Sequence, residues 1–114
     1  MDDILLDTLL HDFYNALLTR RQSEIYELYY LQNLSLSEIA REYGVTPQAV
    51  RDILARTRKN LRRYEDALGV VRRHEQLGEL RRRLEAFIER NAFDLDVSGE
   101  LKEAVDFLTL ILDN

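Results

Sequence analysis

The chain has 114 residues, a net charge of −5 and no cysteine. This length fits one small domain, and the missing cysteines exclude disulfides and thiolate metal sites. The acidic start, MDDILLD, is unlike a basic signal peptide, and the longest charge-free run, residues 28–37, is too short to cross a bilayer. These features predict a soluble, cytoplasmic protein that does not insert into a membrane.

Charge is distributed unevenly along the chain. Residues 1–49 and residues 91–114 each carry a net charge of −5, whereas residues 50–90 carry +5. Two interpretations are open: the opposite charges neutralise each other inside a helical bundle, or the basic middle faces nucleic acid.

The first predicted helix covers residues 2–18, where leucines recur at helical spacing and acidic residues occupy the first turns. Its expected inward-facing residues are Leu6, Leu9, Leu10, Phe13 and Leu17.

The second predicted helix covers residues 20–32 and begins with the capping-box spacing of Thr19 and Gln22. Its expected inward-facing residues are Ile25, Leu28 and Leu31. Three tyrosines flank that stripe: Tyr26, Tyr29 and Tyr30. Such tyrosines are typical of the edge of a core or an interface, and a stacking platform for bases is the alternative.

A short third helix is predicted over residues 36–43, where Ser35 and Glu38 again have the capping-box spacing. Gly44 follows, and glycine accepts the left-handed conformation that ends a helix.

A long fourth helix is predicted directly after this glycine. Thr46 is a suitable N-cap, and Pro47 suits the first helical position because an N–H would be unpaired there. A short helix, a turn with glycine and a second capped helix are typical of a helix-turn-helix, which projects the first turns of its second helix into a major groove.

The fourth helix continues as an apolar seam with steps of four and three residues. The seam consists of Val50, Leu54, Thr57, Leu61, Tyr64, Leu68 and Val71. Gly69 interrupts it, so we expect a kink or short break within residues 69–77, followed by another helix. Residues 91–99 are predicted to form a loop, with Ser98 capping a last helix over residues 99–112.

No metal or cofactor site is predicted. Residues 94–100 match the start of a calcium loop, but its closing position would be Val105 instead of a bidentate glutamate. His11 and His74 are far apart in sequence and are expected at the surface or at its edge. Because no nucleophile, phosphate loop or carboxylate pair stands out, we predict that the protein is not an enzyme and needs no cofactor.

The fourth helix carries the predicted binding residues. Residues 51–63 contain six basic residues and one acidic residue, a pattern that favours contact with phosphates. The alternative is a solvated face whose arginines pair with acidic neighbours. Gln48 can pair with adenine, and Arg51 with guanine or phosphate. The predicted nucleic-acid-binding set is Gln48, Arg51, Arg56, Arg58, Lys59, Arg62 and Arg63.

Three segments are similar to known proteins: LYYLQNLSLSEIAREYGV, TPQAVRDIL and RRYEDAL. Residues 18–65 resemble the fourth region of bacterial sigma factors, and nearly the whole chain is similar to the YlxM family of small helix-turn-helix proteins. The YlxM resemblance implies an accessory or regulator of the signal recognition particle, with the particle's GTPase, its RNA or both as partners. Sigma regions carry a basic residue near the position of Pro47, which argues against sigma-like promoter reading.

We therefore predict an all-α fold with a sigma region-4-like helix-turn-helix, a long recognition helix and further flanking helices. The predicted organisation is a single domain over residues 1–114, with a helix-turn-helix core over residues 19–66 and a C-terminal extension over residues 70–114. The apolar seam and the wide apolar stripe of the last helix favour a homodimer. A DNA-binding transcriptional regulator of sigma region-4 type is the alternative function.

Overall fold

The computed structural model describes residues 3–91 and 95–113, which form six α-helices and one 3-10 helix and contain no strand. The α-helices are α1 (Asp3–Tyr14), α2 (Arg20–Tyr30), α3 (Leu36–Tyr43), α4 (Pro47–Leu68), α5 (Val70–Arg90) and α6 (Leu95–Leu112). The 3-10 helix, Asn15–Leu17, follows α1. The predicted all-α fold is confirmed.

The chain divides into two units, residues 1–71 and residues 72–114. The first unit contains α1 to α4, and the second contains most of α5 and all of α6. Within the described ranges, no helix has both the length and the apolar content needed to cross a membrane.

The core of the first unit forms where α1, α2 and α3 pack against α4. Its most deeply buried apolar side chains are Leu10, Ile25, Tyr26, Ile39, Val50 and Leu61. Burial of each large apolar side chain contributes about 1.5–3 kcal/mol relative to its exposure. Thr57 is equally buried, and its hydroxyl donates a hydrogen bond of 2.8 Å to the Ile53 carbonyl, so the core tolerates this polar group.

The turn between α3 and α4 has the caps that the sequence predicts. Ser35 and Glu38 form a capping box at the start of α3. Gly44 ends that helix in the left-handed conformation, with φ of +66°. The Thr46 hydroxyl then accepts a hydrogen bond of 3.1 Å from the Ala49 N–H. Because caps of this kind stabilise a helix by about 1 kcal/mol each, the local sequence is sufficient to fix where both helices begin.

The buried face of α1 differs from the prediction. The helix ends at Tyr14, short of the predicted range 2–18, because the chain tightens into the 3-10 helix. Phe13 and Leu17 are 37% and 52% exposed, so their predicted inward orientation is wrong. His11 is only 2% exposed, which corrects its predicted place at the surface.

The buried face of α2 also differs. The helix ends at Tyr30, and Leu31 is 47% exposed although the sequence predicts it inside. Tyr26 is fully buried instead, its hydroxyl donates to the Asp7 carbonyl at 3.0 Å, and its ring stacks on His11 with centroids 5.2 Å apart. A tyrosine can enter this core because its polar tip has a partner there.

The break after α4 is confined to Gly69, which has φ of +62°. This break lies within residues 69–77, where a kink or short break is predicted, and α5 begins at Val70. The Tyr14 hydroxyl accepts a hydrogen bond of 3.1 Å from the Val70 N–H and donates one of 2.6 Å to the Glu65 carboxylate. The first N–H of α5, which has no acceptor within the helix, thus has a side-chain partner. This contact allows the new helix to begin directly after Gly69.

The second unit differs from the prediction at the start of α6. This helix begins at Leu95, so the predicted start at residue 99 with Ser98 as its cap is wrong. Residues 92–94 of the predicted loop, which include the first position of the calcium-loop match, lie outside the described residues.

Burial raises the pKa of four tyrosines above the ordinary value of 10.0: Tyr14, Tyr26, Tyr30 and Tyr43. Because the folded state holds these protons more tightly, their stabilising contribution is complete below the ordinary pKa and is lost as the pH rises above it. We expect the free energy of unfolding, measured with urea, to fall between about pH 8 and about pH 11. Tyr26→Phe should reduce that fall. Equal stability of the unsubstituted protein at both pH values would contradict the prediction.

Candidate nucleic-acid interface

The leading end of α4 is exposed, as groove recognition by a helix-turn-helix requires. Gln48, Arg51 and Asp52 all lie at the surface. The Gln48 amide donates a hydrogen bond of 3.0 Å to the Asp52 carboxylate. Gln48 is therefore held along the helix surface, and it must exchange this bond in order to pair with a base.

Helical spacing separates the basic residues of α4 into two groups. The outward group shares the side of Gln48 and is exposed. We call it the open basic face, and it consists of Arg56, Lys59 and Arg63. The second group lies on the flank nearer to α1 and α2, and consists of Arg51, Arg58 and Arg62. Among the residues that the structure describes, neither Arg51 nor any member of the open basic face forms an ion pair.

Arg58 and Arg62 both pair with Asp7 of α1. The Asp7 Oδ2 lies 3.2 Å from the Arg58 Nη2, and its Oδ1 lies 3.1 Å from the Arg62 Nη2. The carboxylate is 3% exposed, whereas each guanidinium side chain is 39% exposed. The alternative interpretation of the sequence, that arginines of this helix pair with acidic neighbours, therefore describes these two residues. Because one buried carboxylate faces both of them, one of their two positive charges is compensated within the fold.

Asp7 is not among the predicted site residues, and in the sequence it is only one of the acidic residues in the first turns of α1. Asp7, His11 and Tyr14 recur at steps of four and three residues, the same spacing as a buried helical face. All three are 2% exposed. Polar residues at the spacing of a buried helical face were therefore the feature of the sequence that could have identified Asp7. Such a pattern indicates buried polar contacts with another helix.

The position of α3 is fixed by contacts with α2. The Tyr43 hydroxyl donates a hydrogen bond of 2.9 Å to the Glu24 carboxylate, which also accepts one of 2.9 Å from Arg20. The Arg21 guanidinium lies 5.6 Å from the centroid of the Tyr43 ring. The hydrogen bonds from Tyr43 and Arg20 hold the pKa of the Glu24 carboxyl below its usual range. These contacts restrain the helix-turn-helix from outside its own turn.

Comparisons with known proteins agree with this geometry. Residues 2–98 match the model of the UPF0122 family, described as "Putative helix-turn-helix protein, YlxM / p13 like". A UPF0122 protein of Thermoanaerobacter sp. (strain X514) is 47% identical over 76 residues, which are 67% of this chain and 65% of that relative. The chain thus spans slightly less than two thirds of that relative's length.

Two further relatives match over more of their length. A UPF0122 protein of Geobacillus kaustophilus (strain HTA426) is 46% identical over 95 residues, which cover 82% of this chain and 86% of the relative. A UPF0122 protein of Listeria innocua serovar 6a is 41% identical over 96 residues, which cover 83% and 87%. The resemblance to the YlxM family that the sequence analysis identified is confirmed.

Asp7→Asn should lower the free energy of unfolding by about 2 kcal/mol, because two half-exposed guanidinium groups lose their anionic partner. Asp12→Asn is the matched control, since Asp12 is an exposed residue of the same helix. Urea denaturation of the two variants and the unsubstituted protein measures the difference. If both variants were equally stable, the buried ion pairs would contribute nothing to the fold.

Proposed function

The chain belongs to the YlxM/p13-like family of helix-turn-helix proteins, and on this premise we propose that it is a non-enzymatic protein that binds nucleic acid through α3 and α4. The observation that carries the proposal is the exposed surface of α4, where Gln48 and the open basic face share one side of the helix. Helix ends fixed by caps and by contacts with α2 support that surface.

The proposed contacts divide into base recognition and phosphate binding. Gln48 and Arg51 occupy the first turns of α4, where side chains of a helix-turn-helix meet base edges. Arg56 and Arg63 are two turns apart, about 10 Å along the helix axis, with Lys59 between them. Such a row suits successive phosphates of one strand. Asp52 lies among these residues, and its negative charge repels phosphate. This repulsion restricts how the helix can lie against a duplex.

The finer proposal is a cytoplasmic accessory or regulator of the signal recognition particle, with the particle's RNA and its GTPase as partners. Membership of the YlxM family, matched over residues 2–98, supports it. The second candidate is a DNA-binding transcriptional regulator of sigma region-4 type. The exposed leading end of α4 favours this candidate, since a helix placed in this way reaches the major groove of duplex DNA.

Arg51→Glu combined with Lys59→Glu should weaken nucleic-acid binding by at least about tenfold, because two phosphate contacts become repulsive. The control is Arg90→Glu with Lys102→Glu, which makes the same substitutions at exposed positions of α5 and α6. Arg62 is left unchanged, since a glutamate there would face the buried Asp7. Fluorescence anisotropy over a series of salt concentrations gives the affinities.

The same titrations separate the two functions when they use the particle's RNA and duplex DNA of random sequence. Tighter binding of the RNA supports the particle role, and tighter binding of the duplex supports the regulator. If the protein binds neither, or if the double variant binds as well as the unsubstituted protein, the proposed interface is wrong.

We also propose that the second unit forms a homodimer. Six large apolar side chains of this unit are between 37% and 65% exposed: Leu77, Leu80, Phe87, Phe107, Leu110 and Ile111. The two helices also have opposite net charges, since α5 carries six arginines and four glutamates whereas α6 carries one lysine and four acidic residues. A two-fold arrangement with α5 of one copy beside α6 of the other pairs these charges and covers the apolar side chains.

Phe107→Glu combined with Leu110→Glu should convert the dimer into a monomer, because both residues would bury a charge in the interface. Ile4→Glu is the control, since Ile4 of α1 is 64% exposed, against 65% for Phe107 and 63% for Leu110. Sedimentation equilibrium measures the mass. An unsubstituted protein that sediments at the chain mass of 13.5 kDa would refute the dimer.

A further inference from the structure

An open cleft of about 250 Å³ lies in the first unit, on the flank of α4. Tyr29 and Tyr30 of α2 line it, together with Leu36 at the start of α3 and four residues of α4: Arg51, Leu54, Ala55 and Arg58. The cleft shares Arg51 with the leading end of α4. It does not include the open basic face, which lies around the helix from it.

The α2 wall of the cleft is aromatic and rigid. The rings of Tyr29 and Tyr30 are 5.0 Å apart and nearly perpendicular, at 71°. Tyr30 also packs against the buried Tyr26, with ring centroids 4.5 Å apart. Both tyrosines line the cleft, so its α2 wall offers aromatic surface against which a planar group can pack.

The α4 wall of the cleft is basic. Ala55 lies one turn from Arg51 and one turn from Arg58, so its small side chain leaves a gap between two guanidinium groups. Arg58 shares the Asp7 carboxylate with Arg62, and one carboxylate cannot neutralise two guanidinium charges. Arg51 forms no ion pair in the described part of the chain. The cleft therefore has an excess of positive charge beside its aromatic wall.

The combination of aromatic face and guanidinium groups fits a nucleotide, whose base stacks and whose phosphate carries negative charge. The cleft is smaller than the roughly 300–1,000 Å³ of pockets for drug-sized ligands, so it has room for one base. A base inside a duplex has both faces covered by its neighbours, and only an unpaired base can enter.

We propose that this cleft binds one unpaired nucleotide that adjoins the helical segment held by α4, with the base against Tyr29 and its phosphate on Arg51. This inference rests on the proposed function and names its substrate class: structured RNA with an unpaired nucleotide beside a stem. Arg51 links the two sites, because it belongs both to the leading end of α4 and to the cleft.

Ala55→Leu tests the proposal, because it fills the cleft from an exposed helix position at which leucine is well tolerated. Ala67→Leu is the matched control, an exposed alanine on another side of α4. The probes are a labelled RNA hairpin with one unpaired nucleotide in its stem and the same hairpin fully paired, compared by fluorescence anisotropy. Thermal melting confirms that both variants are folded.

We expect the unsubstituted protein to bind the hairpin with the unpaired nucleotide about tenfold more tightly than the paired one, as stacking of a single base on an aromatic ring provides. Ala55→Leu should abolish this preference and leave the affinity for the paired hairpin unchanged, while Ala67→Leu should change neither affinity. If the preference is missing, or if Ala55→Leu retains it, the cleft is not a nucleotide site although the proposed interface stands. If neither hairpin binds and duplex DNA does not bind either, the proposed function fails and the cleft proposal fails with it.

Discussion

The buried Asp7 carboxylate constrains the whole first unit. A carboxylate removed from water is costly unless charged donors replace its hydration, and Arg58 and Arg62 supply two such donors at 3.2 and 3.1 Å. Their positions one turn apart on α4 place both guanidinium groups at Asp7 and so favour the observed register of α1 against that helix. Tyr26 donates to the Asp7 carbonyl, so α2 is joined to the same point. The direction in which α4 projects therefore depends on a polar contact within the core.

This contact also determines how charge is distributed around α4. Arg58 uses its guanidinium in the ion pair and lines the cleft with the same side chain. Packing of the core thus sets the width of the gap beside Ala55. On the outward side, Arg56, Lys59 and Arg63 have no corresponding carboxylate among the described residues. A single amphipathic helix therefore presents a partly neutralised flank and a basic face.

The elements that the sequence predicted correctly are those whose signals lie within a few residues. Ser35, Gly44 and Thr46 specify the ends of α3 and α4 through their own hydrogen bonds and backbone angle, so local reasoning located the turn. The errors arose where partners are distant in sequence. Tyr26 and Asp7 are 19 positions apart, and the hydrogen bond between them allows Tyr26 to lie inside the core, although the sequence places it beside the inward-facing stripe. Ser98 illustrates a different error, because a cap pattern inside a helix has the same local sequence as a cap at its start.

The ion pairs with Asp7 reduce the electrostatic part of the proposed affinity. On duplex DNA, each phosphate contact contributes about −0.9 to the slope of log K against the logarithm of the salt concentration. Four cations on α4 that are unpaired among the described residues would therefore give a slope of roughly −4, whereas six would give roughly −5. A chain with a net charge of −5 also gains little from long-range attraction to a polyanion. Under the proposed function, affinity would then come from short-range contacts with bases, for which the proposed sites are Gln48 at the leading end of α4 and the aromatic cleft at its flank. In the proposed interface, the ion pairs with Asp7 would weaken binding to any phosphate backbone but leave base contacts intact, so the buried carboxylate would favour selectivity over overall affinity.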